Sequence, residues 1–163
     1  KGMDKEGFSG RDGRTTIFDY WCVDTMCRAD EGNLTEDEKK LADIYSKLMN
    51  FARTDKTVTG LSYDLMYANP HSASFNPDRQ YAFLRRSGRQ LLVVVVNFDN
   101  LDRDILLNIP EHAFEYLKLS DGKDVMGEEI LTGESFAACL SSKQPLSIHV
   151  PKYGAAIIKI NKA

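Results

Sequence analysis

Two carboxylates flanking a bond about 5–9 Å apart can hydrolyse it by acid–base chemistry, so the acidic residues come first. Asp12, Asp19 and Asp24 lie close together in a glycine-punctuated stretch, and Glu128 and Glu129 are neighbours. Adjacent residues of a strand point to opposite faces, so the two glutamates do not make a pair, and both sets read as solvated charges. Asp99, Asp102 and Asp104 have the look of a calcium loop. An EF-hand also needs Gly at its sixth position and Glu at its twelfth. Here Asp104 is followed by Ile105, and the twelfth position is Pro110, so a tight turn between strands explains them better. Gly7, Gly10 and Gly13 lack the Lys-Ser or Lys-Thr that completes a phosphate cradle. His71, His112 and His149 are scattered, and no G-x-S-x-G elbow supports a nucleophilic triad. Cys22, Cys27 and Cys139 are odd in number and carry no CxxC spacing, so they read as free, partly buried thiols. Phe18, Tyr20 and Trp21 could stack on sugar rings or anchor a loop on a core. No surface aromatic pair stands out within residues 61–163, so sugar binding there is expected to be weak or undetectable.

The elements that position these residues fall into three parts. Residues 1–34 read as a loop. Residues 35–53 read as a helix: Thr35 and Glu38 spell a capping box, with Glu36 and Asp37 beside them in the first turn. Leu41, Ile44, Tyr45, Leu48, Met49, Phe51 and Ala52 share one face of it. Residues 60–163 read as all-β. Leu61 to Tyr67 alternate, Tyr81–Leu84 form a second strand, and Leu91 to Val96 are continuously apolar, which predicts a central strand covered on both faces. Ile105, Leu107 and Ile109 alternate before Pro110, which can open one helical turn. Further strands are expected near 129–131, 136–140, 146–150 and 155–160. Seven or eight short strands at this spacing predict an antiparallel Greek-key β-sandwich, mainly β, preceded by a loop and one amphipathic helix.

The chain has 163 residues, a formal net charge of −3 and 42 % hydrophobic residues. That suits a soluble domain with a core of its own. The slightly acidic balance argues against a nucleic-acid partner. The longest apolar run is far short of a membrane span. The glycine-rich start has no apolar region of a signal peptide and no initiator Met, and reads as a cut through a loop of a larger protein.

Three stretches in this order resemble the C-terminal end of the α-amylase family of glycoside hydrolases. Gly10-Arg11-Asp12-Gly13-Arg14-Thr15-Thr16-Ile17-Phe18-Asp19-Tyr20-Trp21 is similar to the loop after the last strand of the catalytic barrel. Leu41 to Arg53 resembles the final barrel helix. Tyr63–Tyr67, Tyr81–Arg85, Val93–Phe98 and Tyr153–Ile157 resemble the sandwich that follows. The resemblance thus implies a loop over 1–34, the last helix of a TIM barrel over 35–55 and a C-terminal sandwich domain over 60–163. It implies a parent that cleaves α-glucosidic bonds of starch-like glucans with retention, using an Asp nucleophile, a Glu acid/base and a second Asp on barrel strands upstream of Lys1. The chain itself is then non-catalytic and buttresses its barrel. Asp12 and Arg14 are the matching candidates for a sugar-binding Asp and Arg, one residue apart rather than in the usual Asp-Pro-x-x-Arg spacing, with Tyr20 and Trp21 beside them. No metal or cofactor is implied in this chain, and calcium is an option for the parent alone. The alternative is an independent carbohydrate-binding or protein-interaction module. Without a barrel wall, the apolar face of helix 35–53 needs another cover. A two-fold dimer is the preferred solution, because the sandwich already has a core, and folding back onto the sandwich is the other.

Overall fold

The computed structural model describes residues 21–163, with side chains from Thr25 onward. The chain divides into two units, residues 1–46 and 47–163. In the first, the expected loop over 1–34 gives way to a helix, α1, Trp21–Asp30. Val23, Met26 and Cys27 have helical spacing, and a Schellman motif ends the helix. Gly32 N–H bonds Ala29 C=O and Asn33 N–H bonds Arg28 C=O, with Gly32 at φ 74°. That left-handed conformation suits Gly because no Cβ crowds it. The glycines upstream hid this short element from a reading by period alone.

Helix α2, Glu36–Thr54, starts as its sequence dictates. Thr35 N–H donates to Glu38 Oε2 at 2.9 Å, and Glu38 N–H donates to Thr35 Oγ1 at 3.3 Å. Arg28 reaches the same carboxylate at 2.6 Å. The Thr35 amide and hydroxyl, then Arg28, hold the Glu38 carboxyl down at about 2.

In the second unit, eight strands form two antiparallel sheets. They are β1 (Leu61–Asp64), β2 (Gln80–Ser87), β3 (Gln90–Asn97), β4 (Arg103–Leu107), β5 (Lys123–Glu129), β6 (Ser135–Leu140), β7 (Leu146–Val150) and β8 (Gly154–Ile160). One sheet has the order β1-β2-β3-β8-β5-β6, and β4 pairs with β7 in the other. The two sheets share one core. Leu84, Val93, Val95 and Ile158 of the large sheet meet Ile105, Leu107, Ile148 and Val150 of the small one. A short helix, α3 (Glu111–Leu117), follows Pro110 and buries Ala113, Phe114 and Leu117 in the same core. The mainly-β sandwich expected from the strand spacing is therefore the fold.

β3 is central and apolar on both faces, as its unbroken run requires. Its outward Leu92 and Val94 pack with Ile157 beneath Leu48 and Phe51 of α2 and Ile130 and Leu131 of a turn. Part of the helix thus folds back onto the sheet. Leu41, Ile44, Tyr45 and Met49 stay exposed.

Three local readings need correction. The first strand stops at Asp64, because the chain tightens into a 3-10 turn at Met66–Ala68. The strand expected near 129–131 lies earlier, as β5. Ile130 and Leu131 are apolar because they cover the outer face, not because they alternate in a ladder. Cys27 and Cys139 are free but exposed rather than partly buried, since each sits on the outward side of its element.

Candidate functional site

Two stretches of chain about fifty residues apart build an aromatic hollow. In β1, Tyr63 turns inward while Ser62 and Asp64 turn outward. Asp64 Oδ1 then accepts from the Met66 amide at 2.7 Å, which winds the next turn and brings Tyr67 round beside Tyr63. Asn69 locks that turn. Its Nδ2 donates to Leu65 O at 2.8 Å and Asn108 O at 3.0 Å, and its Oδ1 accepts from Asn108 N at 2.8 Å. The same bonds fix the segment that enters α3. There His112 and Tyr116, four residues apart, share the outward face, because Ala113, Phe114 and Leu117 hold the opposite face in the core.

Ser62, Tyr63, Asp64, Tyr67, His112 and Tyr116 line an open hollow of about 430 Å³. Tyr63 is its floor, at 8 % exposure, while Tyr67 and Tyr116 stand at 64 % and 47 %. The Tyr63 hydroxyl lies 2.5 Å from that of Tyr67 and 2.8 Å from His112 Nδ1. It has one proton, so it donates to one neighbour and accepts from the other. Burial raises the Tyr63 phenol far above its ordinary range, and the Tyr67 hydroxyl adds to this. The floor therefore stays neutral at any ordinary pH. The Tyr63 ring is 5.8 Å from Tyr116 at 47° and 6.3 Å from Tyr67 at 55°, and His112 stacks on Tyr116 at 26°.

This cluster overturns the expectation that no surface aromatic pair stands out within 61–163. Only the i, i+4 spacing of Tyr63 with Tyr67 and of His112 with Tyr116 was visible beforehand, and a tertiary contact joins the two pairs. Asp12, Arg14 and Tyr20 lie outside the described residues. Trp21 opens α1, and its side chain is likewise outside them.

Asp99 and Asp102 of the 99–104 segment hold its turn, as the sequence suggested, whereas Asp104 stands in β4 opposite His149. Arg103 grips Asp99 through Nε at 3.0 Å and through Nη2, and holds its carboxyl below the ordinary range. Asp102 accepts from Lys152 N at 2.8 Å, and Asp104 pairs with the exposed His149 at 2.7 Å. Among the described residues, no three His, Cys, Asp or Glu side chains gather as a metal site would require. No helix among them is long and apolar enough to cross a membrane.

Residues 72–161 match the family model described as "Alpha amylase, C-terminal all-beta domain". Nothing among curated proteins matches. Among solved structures, AmyP in complex with maltose superposes with a TM-score of 0.54 at 16 % identity, over 78 % of this chain and 22 % of that one. An Anoxybacillus alpha-amylase gives 0.52 at 17 %, over 77 % and 23 %. Alpha-galactosidase I from Mortierella vinacea gives 0.52 at 10 %, over 80 % and 30 %. At these identities the likeness is one of fold, and the chain spans less than a third of each of these proteins.

Proposed function

Because this chain belongs to the alpha-amylase C-terminal all-beta domain family, as the C-terminal part of a glycoside hydrolase, we propose that it supports the catalytic barrel of an α-glucan hydrolase without doing chemistry. The observation that carries this is the make-up of the hollow. Asp64 is the one carboxylate lining it, and one of its oxygens already caps the next turn. Retaining or inverting hydrolysis needs a second carboxylate across the bond. Three tyrosines and a histidine can hold a sugar but cannot complete that pair.

Incubation of the chain with soluble starch and with a nitrophenyl maltooligosaccharide is expected to give no turnover above a mock preparation. Turnover that copurifies with the chain and is lost in Asp64→Asn would overturn the non-catalytic role.

The supporting role also accounts for α2. Leu41, Ile44, Tyr45 and Met49 are between 42 % and 68 % exposed. Each such side chain is worth about 1.5–3 kcal/mol when fully buried, and a patch of this kind marks an interface. In the parent its cover is the barrel wall. In the isolated chain the same face drives self-association. Light scattering should show a mass that rises with concentration, and Ile44→Glu with Tyr45→Glu should abolish the rise. A strict monomer at all concentrations in the unmutated chain would defeat self-association.

A further inference from the structure

We propose that the Tyr63–Tyr67–His112–Tyr116 hollow binds a quaternary ammonium group, the head of a choline-like organic cation. The inference rests on the hollow alone and goes beyond the supporting role proposed above. Three features select this chemistry.

The first is ring surface. An aromatic ring is negative over its face and positive at its edge. A cation within about 6 Å of the ring centroid is drawn to the face. The rings of Tyr67 and Tyr116 lie 6.3 and 5.8 Å from that of Tyr63, centroid to centroid, and are inclined to it by 55° and 47°. Rings stacked in parallel would cover one another's faces, whereas inclined rings leave face open to the space they line. His112 stacks on one face of Tyr116 and leaves that ring its other. One compact charge can therefore be served by more than one tyrosine.

The second is charge. Asp64 lines the hollow and no Lys or Arg does. The carboxylate supplies the counter-charge that an organic cation needs, and it repels phosphate esters and carboxylates that would otherwise suit an aromatic wall.

The third is hydrogen bonding. The Tyr63 hydroxyl is engaged on both sides, by Tyr67 and by His112 Nδ1, and Asp64 Oδ1 is engaged by the Met66 amide. A ligand rich in hydrogen-bonding groups finds these atoms already taken. A quaternary ammonium has no N–H to satisfy, so ring face and a nearby negative charge are all that it requires. The same bonds set the walls before a ligand arrives. Tyr63 is a buried floor, Ala113, Phe114 and Leu117 anchor α3, and Asn69 ties the Tyr67 turn to the segment ahead of α3. A preorganised site avoids the ordering cost that weakens most shallow ones.

The test is a titration of the whole chain with tetramethylammonium and with choline, followed by aromatic carbon–proton NMR of the tyrosines. Saturable shifts with a midpoint in the millimolar range are expected. The uncharged carbon isostere of choline, in which a tert-butyl group replaces the trimethylammonium, should bind about fivefold more weakly or worse. Tyr67→Leu keeps apolar bulk and removes the ring, and should weaken choline binding by about two- to fivefold, whereas Tyr67→Phe should retain it. Asp64→Asn keeps an oxygen for the Met66 amide and removes the charge, so it should weaken the cation and leave the isostere unaffected. Tyr81→Leu is the control, since Tyr81 is an exposed aromatic paired with Phe83 on β2. Its affinity should be unchanged. Tyr67 is mostly exposed, so its variants keep the fold even where a Tyr116 variant does not. Absence of saturable shifts, or equal affinity in Tyr67→Leu and the unmutated chain, would overturn the site. Equal affinity for choline and its isostere, or no loss in Asp64→Asn, would overturn the cation assignment.

Discussion

Asn97→Ala is expected to destabilise the sandwich by about 3–5 kcal/mol, the cost of stranding several buried polar groups at once. Asn97 ends β3 with its side chain fully buried. Its Oδ1 accepts from Gln80 Nε2 at 2.9 Å and from the Asp99 amide at 3.0 Å. Its Nδ2 donates to Leu101 O at 2.9 Å and Pro151 O at 3.1 Å. One carboxamide therefore joins the start of β2, the turn after β3 and the link between β7 and β8. Alanine leaves two buried donors and two part-buried acceptors without this partner. Urea unfolding should show a lower midpoint at an unchanged slope. A loss under about 1 kcal/mol would mean that water replaces the amide and that the network is dispensable.

Asp55→Ala is expected to cost about 2–4 kcal/mol, because it removes one partner of a largely buried ion pair. Asp55 and Lys159 are 9 % and 21 % exposed at the side chain and are in direct contact. Asp55 also accepts from Thr57 N at 2.9 Å and Thr57 Oγ1 at 2.5 Å, capping the 3-10 turn Lys56–Thr59. Burial pushes the Asp55 carboxyl up, but Lys159 and the two Thr57 bonds together push it further down, to a value below the ordinary one. A carboxyl lowered by folding stabilises fully above its unfolded value, near 3.9, and this contribution is lost as pH falls through the lower folded value. The stability difference between the unmutated chain and Asp55→Asn should hence be constant near neutrality and shrink below about pH 4. A difference that grows on acidification would show that the carboxylate is not favoured by folding.

Legibility followed the range of the physics. The start of α2 was readable because a capping box is a four-residue device, and β3 because six consecutive apolar residues need cover on both sides. β7 was equally plain, with Leu146, Ile148 and Val150 inward and Ser147 and His149 outward. β5 was not, since Val125 is its one fully buried side chain and Gly127 interrupts it. That glycine is required by close approach: a Cβ there would lie 2.7 Å from Lys159 O across the ladder. The aromatic hollow was illegible because each half, Tyr63 with Tyr67 and His112 with Tyr116, is an ordinary i, i+4 pair of rings, and the two are joined where Asn69 ties β1's turn to the entry of α3. The candidates drawn from resemblance, Asp12, Arg14, Tyr20 and the Trp21 side chain, lie outside the described residues. The resemblance succeeded for the sandwich, where the order of several strands carried it.

The position of β8 has a consequence in time as well as in space. It runs between β3 and β5, pairing Val93 with Ile158 on one side and Glu129 with Ile158 on the other. Of the eight described strands it is synthesised latest. Until it emerges from the ribosome, β1-β2-β3 and β5-β6 are two separate pieces of sheet, each with an open edge. The apolar inner faces of those pieces stay unsealed over the same interval. Closure waits for contacts of long sequence separation, which are slow to form. Nascent chains stalled before residue 154 should therefore be the species that chaperones hold, and release of β8 is the event that turns two hairpin sets into one domain.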